Sequence, residues 1–292
     1  MSGPTRALVL SGGGPVGVAW HAGVTASLIE FGIDLAAADM VVGTSAGSIV
    51  GAHIALGRPP EDAVKRMRER QGESPSSSSD VSASVARNMQ RLMEVLVSTA
   101  ELPMEERLRE IGELALESDT PSEDAFLAGF AHLDADWPAR FVCTAIDALD
   151  GTFTVWGENS GAELSRAIAS SCAVPGFFPP ITIDGRRYYD GGLRSLTNAD
   201  IAEGHERVVV LTLSDPPADS SDPRAQRLRQ RLDAEFDLLR RAGGRVEVIA
   251  PDAEAAAAIG VNLMDPGAAL EAGAAGRVQG KNEVVRIKQM WG

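Results

Sequence analysis

Two short apolar runs, each closed by glycine and each passing straight into a helical pattern, fill the first 56 residues. Ala7–Leu10 runs into Ser11-Gly12-Gly13-Gly14, and Val16 to Phe31 then places apolar residues at helical spacing before Gly32. Met40-Val41-Val42 stops at Gly43, and Ser48 to Leu56 follows, with Gly57, Pro59 and Pro60 beyond. A brief apolar run bounded by turn residues reads as a buried strand. A glycine just past the last periodic residue reads as a helix end. Strand, helix, strand, helix over so short a span is the signature of a parallel sheet with crossover helices.

The middle of the chain breaks this rhythm. Glu61 to Arg70 is charged and helical, and Gly72 to Asp80 (GESPSSSSD) is low-complexity and expected to be a loop. Val85, Met89, Leu92, Val95 and Leu96 then form a helical stripe within Val81 to Leu116. Residues 61–129 are therefore expected to be a helical insertion. The strand pattern resumes at Phe141 to Ile146 and Thr152 to Trp156, joined through Asp150-Gly151, a hairpin signal. Ile181 to Ile183 and Arg187 to Tyr189 flank a second one, Asp184-Gly185. Leu164 to Ala173 reads as a helix, and Val208 to Leu213 and Val246 to Ile249 as strands. The last forty residues are Ala- and Gly-rich and helical, with Asp265-Pro266 placed as N-cap and N1. There is no internal repeat.

Composition narrows the function. With 44% apolar and 23% charged residues among 292, the chain is globular. Acidic residues outnumber basic ones 41 to 27, a net charge of -14. That argues against nucleic acid as a partner, since phosphate binding relies on Lys and Arg, and gives no help on an anionic bilayer. Cys143 and Cys172 are too few for a disulfide framework and are expected as buried, reduced thiols, which fits the cytoplasm. The apolar start is too short for a signal peptide, and no run approaches the ~20 residues of a membrane span. A soluble, cytoplasmic protein with at most transient membrane contact is expected. HExxH and paired CxxC motifs are absent, so neither a metal nor another cofactor is expected.

Three motifs carry possible chemistry. Gly12-Gly13-Gly14-Pro15-Val16-Gly17 follows a strand and opens a helix. That context suits a dinucleotide fingerprint, an oxyanion hole built from backbone N–H groups, or a plain turn. Val41-Val42-Gly43-Thr44-Ser45-Ala46-Gly47-Ser48 carries a strand through GTSAG directly into a helix. This is the context of a nucleophile elbow, whose sharp turn demands small residues two positions either side of the serine; Gly43 and Gly47 meet that demand. The competing role for Ser45 is an N-cap. Asp190-Gly191-Gly192 closes the second hairpin, as a base or as one more turn. Histidines offer little: His53 lies about 12 Å along the helix from Ser45, His21 is expected to be a packing or surface residue, and His132 and His205 lie in unpromising contexts. A Ser–His–Asp triad is poorly supported.

Taken in order, LVLSGGGPVG, GTSAGS and SSCAVPGFFPPITIDGRRYYDGG resemble the patatin-like phospholipases, over residues from about Ala7 to Leu213. The resemblance implies a three-layer α/β/α fold with a mostly parallel central sheet. It implies one catalytic domain at 5–213 containing the 61–129 insertion, and a C-terminal α/β extension at 214–292 packed on it. It implies a serine lipid acyl hydrolase in which Ser45 and Asp190 form a catalytic dyad and Gly12, Gly13, Gly14 and Gly17 form the oxyanion loop, with Gly13 and Gly14 the leading donors. Gly43, Gly47, Gly191 and Gly192 are then the small neighbours those motifs require. The substrate would be a lipid or a small ester. Family members often carry Arg or Lys where this chain has Val16, a departure that favours neutral esters, lysolipids or thioesters over anionic phospholipids. A catalytically silent scaffold and a nucleotide-binding module are the alternatives. Oligomeric state is not legible.

Overall fold

The computed structural model describes residues 4–73 and 79–292. In chain order the elements are β1 (Arg6–Leu10), α1 (Gly14–Glu30), β2 (Met40–Gly43), α2 (Ala46–Ala55), α3 (Glu61–Glu73), α4 (Ser79–Ser98), α5 (Met104–Glu117), α6 (Glu123–Leu127) and β3 (Phe141–Asp147). They continue with β4 (Phe153–Trp156), α7 (Leu164–Ser171), β5 (Ile181–Ile183), β6 (Arg186–Asp190), β7 (Arg207–Leu211), α8 (Pro223–Arg241), β8 (Arg245–Ile249), α9 (Ala253–Ile259) and α10 (Ala269–Trp291). The chain divides into two compact units: Met1–Lys65, Arg140–Val142 and Ser195–Gly292 in one, Arg66–Ala139 and Cys143–Arg194 in the other.

In the first unit β2, β1, β7 and β8 lie side by side, all parallel, with Leu8 opposite both Val41 and Val209 and Val210 opposite Val248. Parallel strands are buried on both faces, which is why these runs are apolar throughout rather than alternating. Ala7, Val9, Val42, Val208 and Val210 project to one face and pack on Leu232, Phe236 and Leu239 of α8. Leu10 and Val41 point the other way, toward Gly47 and Gly51 of α2. Helix α10 lies on α1 with backbones in near contact. A Cβ on Gly23 would stand 2.3 Å from the Gly273 oxygen, and one on Gly276 2.6 Å from the Trp20 oxygen. Trp20 Nε1 donates to Gln279 Oε1 across this seam at 3.1 Å.

The second unit is antiparallel. β5, β6, β3 and β4 pair with Ile181 opposite Tyr188, Ala145 opposite Asp190 and Cys143 opposite Trp156. Both expected hairpins are present. Asp184 and Gly185 have φ of 49° and 76°, the left-handed pair that a two-residue type I′ turn needs. At the other, Asp150 accepts the Thr152 N–H and Gly151 has φ 77°. Leu108, Ile111 and Leu114 of α5 and Leu92 of α4 pack on Ile146, Ala148 and Tyr189.

The chain thus adopts the expected α/β class, a mixed sheet flanked by helices, with its antiparallel strands confined to residues 143–190. Between residues 61 and 129 the described residues include α3, α4, α5 and α6; the stripe from Val85 to Leu96 lies on α4, and the Val81 to Leu116 stretch that carried it is parted into α4 and α5, with Pro103 at the N-cap of α5. Within the expected Gly72–Asp80 loop, residues 74–78 lie outside those described. The stretch 214–245, to which the apolar pattern assigned no element, holds the 19-residue helix α8. Its start is a standard one: Asp222 accepts the Arg224 N–H and Pro223 occupies the first turn. Among the described residues no helix is long and apolar enough to cross a membrane.

Candidate active site

Ser45 stands between the end of β2 and the start of α2 at φ 51°, ψ -118°. A non-glycine residue in this region is strained, by about 1–3 kcal/mol, and persists only where the surroundings enforce it. They do so here. A Cβ on Gly43 would lie 2.4 Å from the Ser48 Cα, and one on Gly47 2.0 Å from the Leu10 oxygen. Strand and helix are therefore drawn so close that only glycine fits on either side of the serine. Ser45 precedes the first residue of α2, yet its side chain makes no capping hydrogen bond. The N-cap alternative accordingly loses its physical basis, while the N-terminal end of the helix dipole stands behind the serine.

The glycine loop lies directly beside it: a Cβ on Gly12 would stand 3.5 Å from the Ser45 Cβ. The backbone N–H groups of Gly12, Gly13, Gly14 and Gly17 divide into two kinds. Gly12 N–H donates to the Leu196 oxygen at 2.8 Å, and Gly17 N–H to the Gly13 oxygen at 2.7 Å. The N–H groups of Gly13 and Gly14 make no hydrogen bond among the described residues. Both positions are crowded, and at Gly14, where backbone does the crowding, glycine is obligatory. A Cβ on Gly13 would meet Leu213 Cδ2 at 2.7 Å, and one on Gly14, where φ is 58°, would meet the Leu263 oxygen at 2.5 Å. Val16 N–H is directed to that same Leu263 oxygen. The Val16 side chain is fully buried and part of the core.

Asp190 ends β6 in the second unit and is 2% exposed. Its Oδ1 accepts the Gly192 N–H at 2.7 Å and its own N–H donates to the Ala173 oxygen, so carboxylate and backbone are both fixed. Gly191 is forced by Thr144, whose Oγ1 would stand 2.3 Å from an added Cβ. Neighbouring Tyr189 is buried and anchors the strand through its hydroxyl, which donates to the Leu108 oxygen at 2.6 Å.

His21 is buried on α1 with Nε2 3.0 Å from the Ser11 oxygen. Burial lowers its pKa from 6.5 to about 4, with the Ser11 contact opposing weakly. His53 is buried with Nδ1 2.9 Å from the Ile49 oxygen of its own helix, and His205 Nδ1 lies 3.0 Å from the Ala202 oxygen. Cys143 and Cys172 are buried thiols, and burial pushes that of Cys143 well up. Among the described residues no group of three His, Cys, Asp or Glu side chains is arranged to hold a metal ion.

A strained serine between a parallel strand and a helix, beside a glycine loop with two uncommitted N–H donors, is the arrangement of the serine hydrolases that use a nucleophile elbow. The chain belongs to the patatin-like phospholipase family, whose model matches residues 8–203. It is 29% identical over 199 residues to uncharacterized NTE family proteins of Mycobacterium bovis and Mycobacterium tuberculosis. That match covers 66% of this chain and 44% of theirs, so the chain spans less than half the length of these relatives. Its structure is similar to that of VipD from Legionella pneumophila, covering 98% of this chain and 67% of that one at 15% identity and a TM-score of 0.46. It is similar also to the type III effector protein ExoU, at 16% identity and a TM-score of 0.37 over 97% of this chain and 53% of that one.

Proposed function

We propose that this chain is a serine lipid acyl hydrolase in which Ser45 is the nucleophile, Asp190 the general base and the Gly13 and Gly14 N–H groups the oxyanion donors. The observation that carries this reading is the backbone of Ser45, held at φ 51° beside two unspent N–H groups. Strain of this kind, enforced by glycines on both sides, serves to present a side chain rather than to stabilise a fold. Family membership supports lipid ester hydrolysis in general. The fixed Asp190 carboxylate and the engagement of His21 and His53 with main-chain carbonyls support a dyad without histidine.

In the proposed reaction Asp190 takes the Ser45 hydroxyl proton as Oγ attacks the ester carbonyl carbon. The negative charge that forms on the carbonyl oxygen is held by the two loop donors. The carbon–oxygen bond to the leaving alcohol breaks, and Asp190 returns its proton to that alcohol. Water, deprotonated in the same way, then releases the fatty acid and restores Ser45. Neither the loop nor its buried Val16 supplies a cation, and the chain carries a charge of -14. The substrates we propose are therefore neutral or dispersed lipids and small esters, met in the cytoplasm with at most transient membrane contact.

The test is covalent labelling by a fluorophosphonate with peptide mapping. The expected result is a single adduct on Ser45, none in Ser45→Ala, and ester turnover reduced by about 10⁴-fold or more in that variant. An unlabelled wild-type protein that turns over no ester would overturn the reading in favour of a silent scaffold, and binding of a dinucleotide would favour the nucleotide alternative.

A further inference from the structure

Three consecutive glycines form a very mobile backbone, yet an oxyanion donor works only when it is aimed before the charge develops. The structure shows what aims it. The Ser11 oxygen accepts two hydrogen bonds, one from the Gly47 N–H of the elbow at 3.1 Å and one from His21 Nε2 at 3.0 Å. Ser11 Oγ accepts the Leu213 N–H at 3.2 Å and donates to the Gly12 oxygen at 2.9 Å. Gly12 N–H is taken by Leu196. The Ser11–Gly12 peptide is thus pinned at both its carbonyl and its N–H. The next peptide is pinned at its carbonyl, and because a peptide is planar this also sets the direction of the Gly13 N–H.

His21 reaches this network from α1, two helical turns beyond the loop. It is fully buried beside the Trp20 ring, and its Nδ1 makes no hydrogen bond among the described residues. A carbonyl only accepts, so the proton sits on Nε2 and Nδ1 is a bare lone pair. A buried imidazole left half satisfied is a cost that packing alone does not explain.

We propose that His21 is a positioning residue of the acyl-transfer site, its Nε2–H holding the Ser11 carbonyl that also receives the Gly47 N–H and so locking the glycine loop to the elbow that carries Ser45. The inference rests on the hydrolase reading above. His21 touches no substrate. Its low basicity keeps the ring neutral through the physiological range, so the clamp does not loosen there.

The experiment compares wild type, His21→Phe and His21→Gln by amide hydrogen exchange, by the second-order rate of fluorophosphonate labelling, and by ¹⁵N spectra of the imidazole. Phe keeps the ring and removes the donor, whereas Gln restores a donor near the Nε2 position. In His21→Phe, exchange in the 11–17 peptide is expected to rise about tenfold or more while the β7 strand stays protected. Labelling of Ser45 is expected to slow by about 10- to 100-fold, and His21→Gln to recover most of both. Wild-type spectra are expected to show hydrogen on Nε2 alone. A hydrogen on Nδ1, or unchanged loop exchange in His21→Phe, would overturn the clamp. That spectrum decides the matter even if His21→Phe does not fold. Faster loop exchange with unchanged labelling would overturn the catalytic role alone. A wild-type protein that resists labelling would instead strike at the hydrolase reading of Ser45.

Discussion

Acidifying the protein from pH 7 to pH 4 should destabilise it through a single buried imidazole. In the folded chain His21 has a pKa of about 4, lowered from 6.5 by burial. Below 6.5 the unfolded state takes up a proton that the folded state refuses. The stability His21 contributes is therefore fully present above pH 6.5 and is lost as pH falls toward the folded pKa. Each pH unit in that window removes about 1.4 kcal/mol, so the loss by pH 4 is about 3 kcal/mol. Full burial means that solvent screening does not reduce this figure, and it is a large part of the about 5–15 kcal/mol that holds a typical domain. Carboxylates titrate over the same range, so the comparison is between wild type and His21→Gln, which cannot take the proton. Urea denaturation at pH 7, 5.5 and 4 would measure the difference. The two stability curves should converge by about 3 kcal/mol on acidification, because only wild type bears the histidine's penalty. Parallel curves, within about 0.5 kcal/mol, would refute the reasoning: His21 would then be hydrated or protonated in the folded state.

Two further outcomes follow from the site. Gly47→Ala places a methyl group 2.0 Å from the Leu10 oxygen and should lose more than about 3 kcal/mol, whereas Gly32→Ala, at φ 85° with nothing within 4 Å, should lose about 1 kcal/mol from backbone strain alone; urea midpoints of the two variants give the contrast. Asp190→Asn keeps an oxygen for the Gly192 N–H and should fold like wild type, while ester turnover falls by about 10²- to 10⁴-fold; a fall within tenfold would remove Asp190 as base.

The parts of the fold that were legible in the sequence are those where one local rule dominates. The strands at Ala7–Leu10 and Met40–Val42 are apolar on every residue because both faces are covered, and the elbow's glycines are required by contacts within a few residues. The two Asp-Gly turns needed left-handed backbone and have it. Helix α8 went unseen because its stripe is sparse: Leu228, Leu232, Phe236 and Leu239 are embedded among charges, and Asp222-Pro223 was the available signal. The roles inside the glycine loop were not legible either. Which N–H groups stay uncommitted depends on the Leu196 and Leu263 carbonyls, far away in sequence. His21 looked like packing because nothing in a sequence tells that a ring seven residues into a helix faces the strand end before it.

The contacts of the glycine loop reach beyond the matched family region. Residues 8–203 carry the family match, yet Leu213 packs on Gly13 and Gly17, and the Leu263 carbonyl and Met264 sulfur crowd Gly14. β8 extends the sheet beside β7, and α10 presses its glycines onto α1, the helix that the loop opens and that carries His21. The loop is thus walled on one side by residues that follow the family region in sequence. The Leu263 main chain is what excludes a methyl group at Gly14, while at Gly13 Leu213 crowds one together with the Gly17 Cα, 3.0 Å away. A segment that crowds Gly13 and Gly14 this closely shapes the conformation of the glycine loop itself.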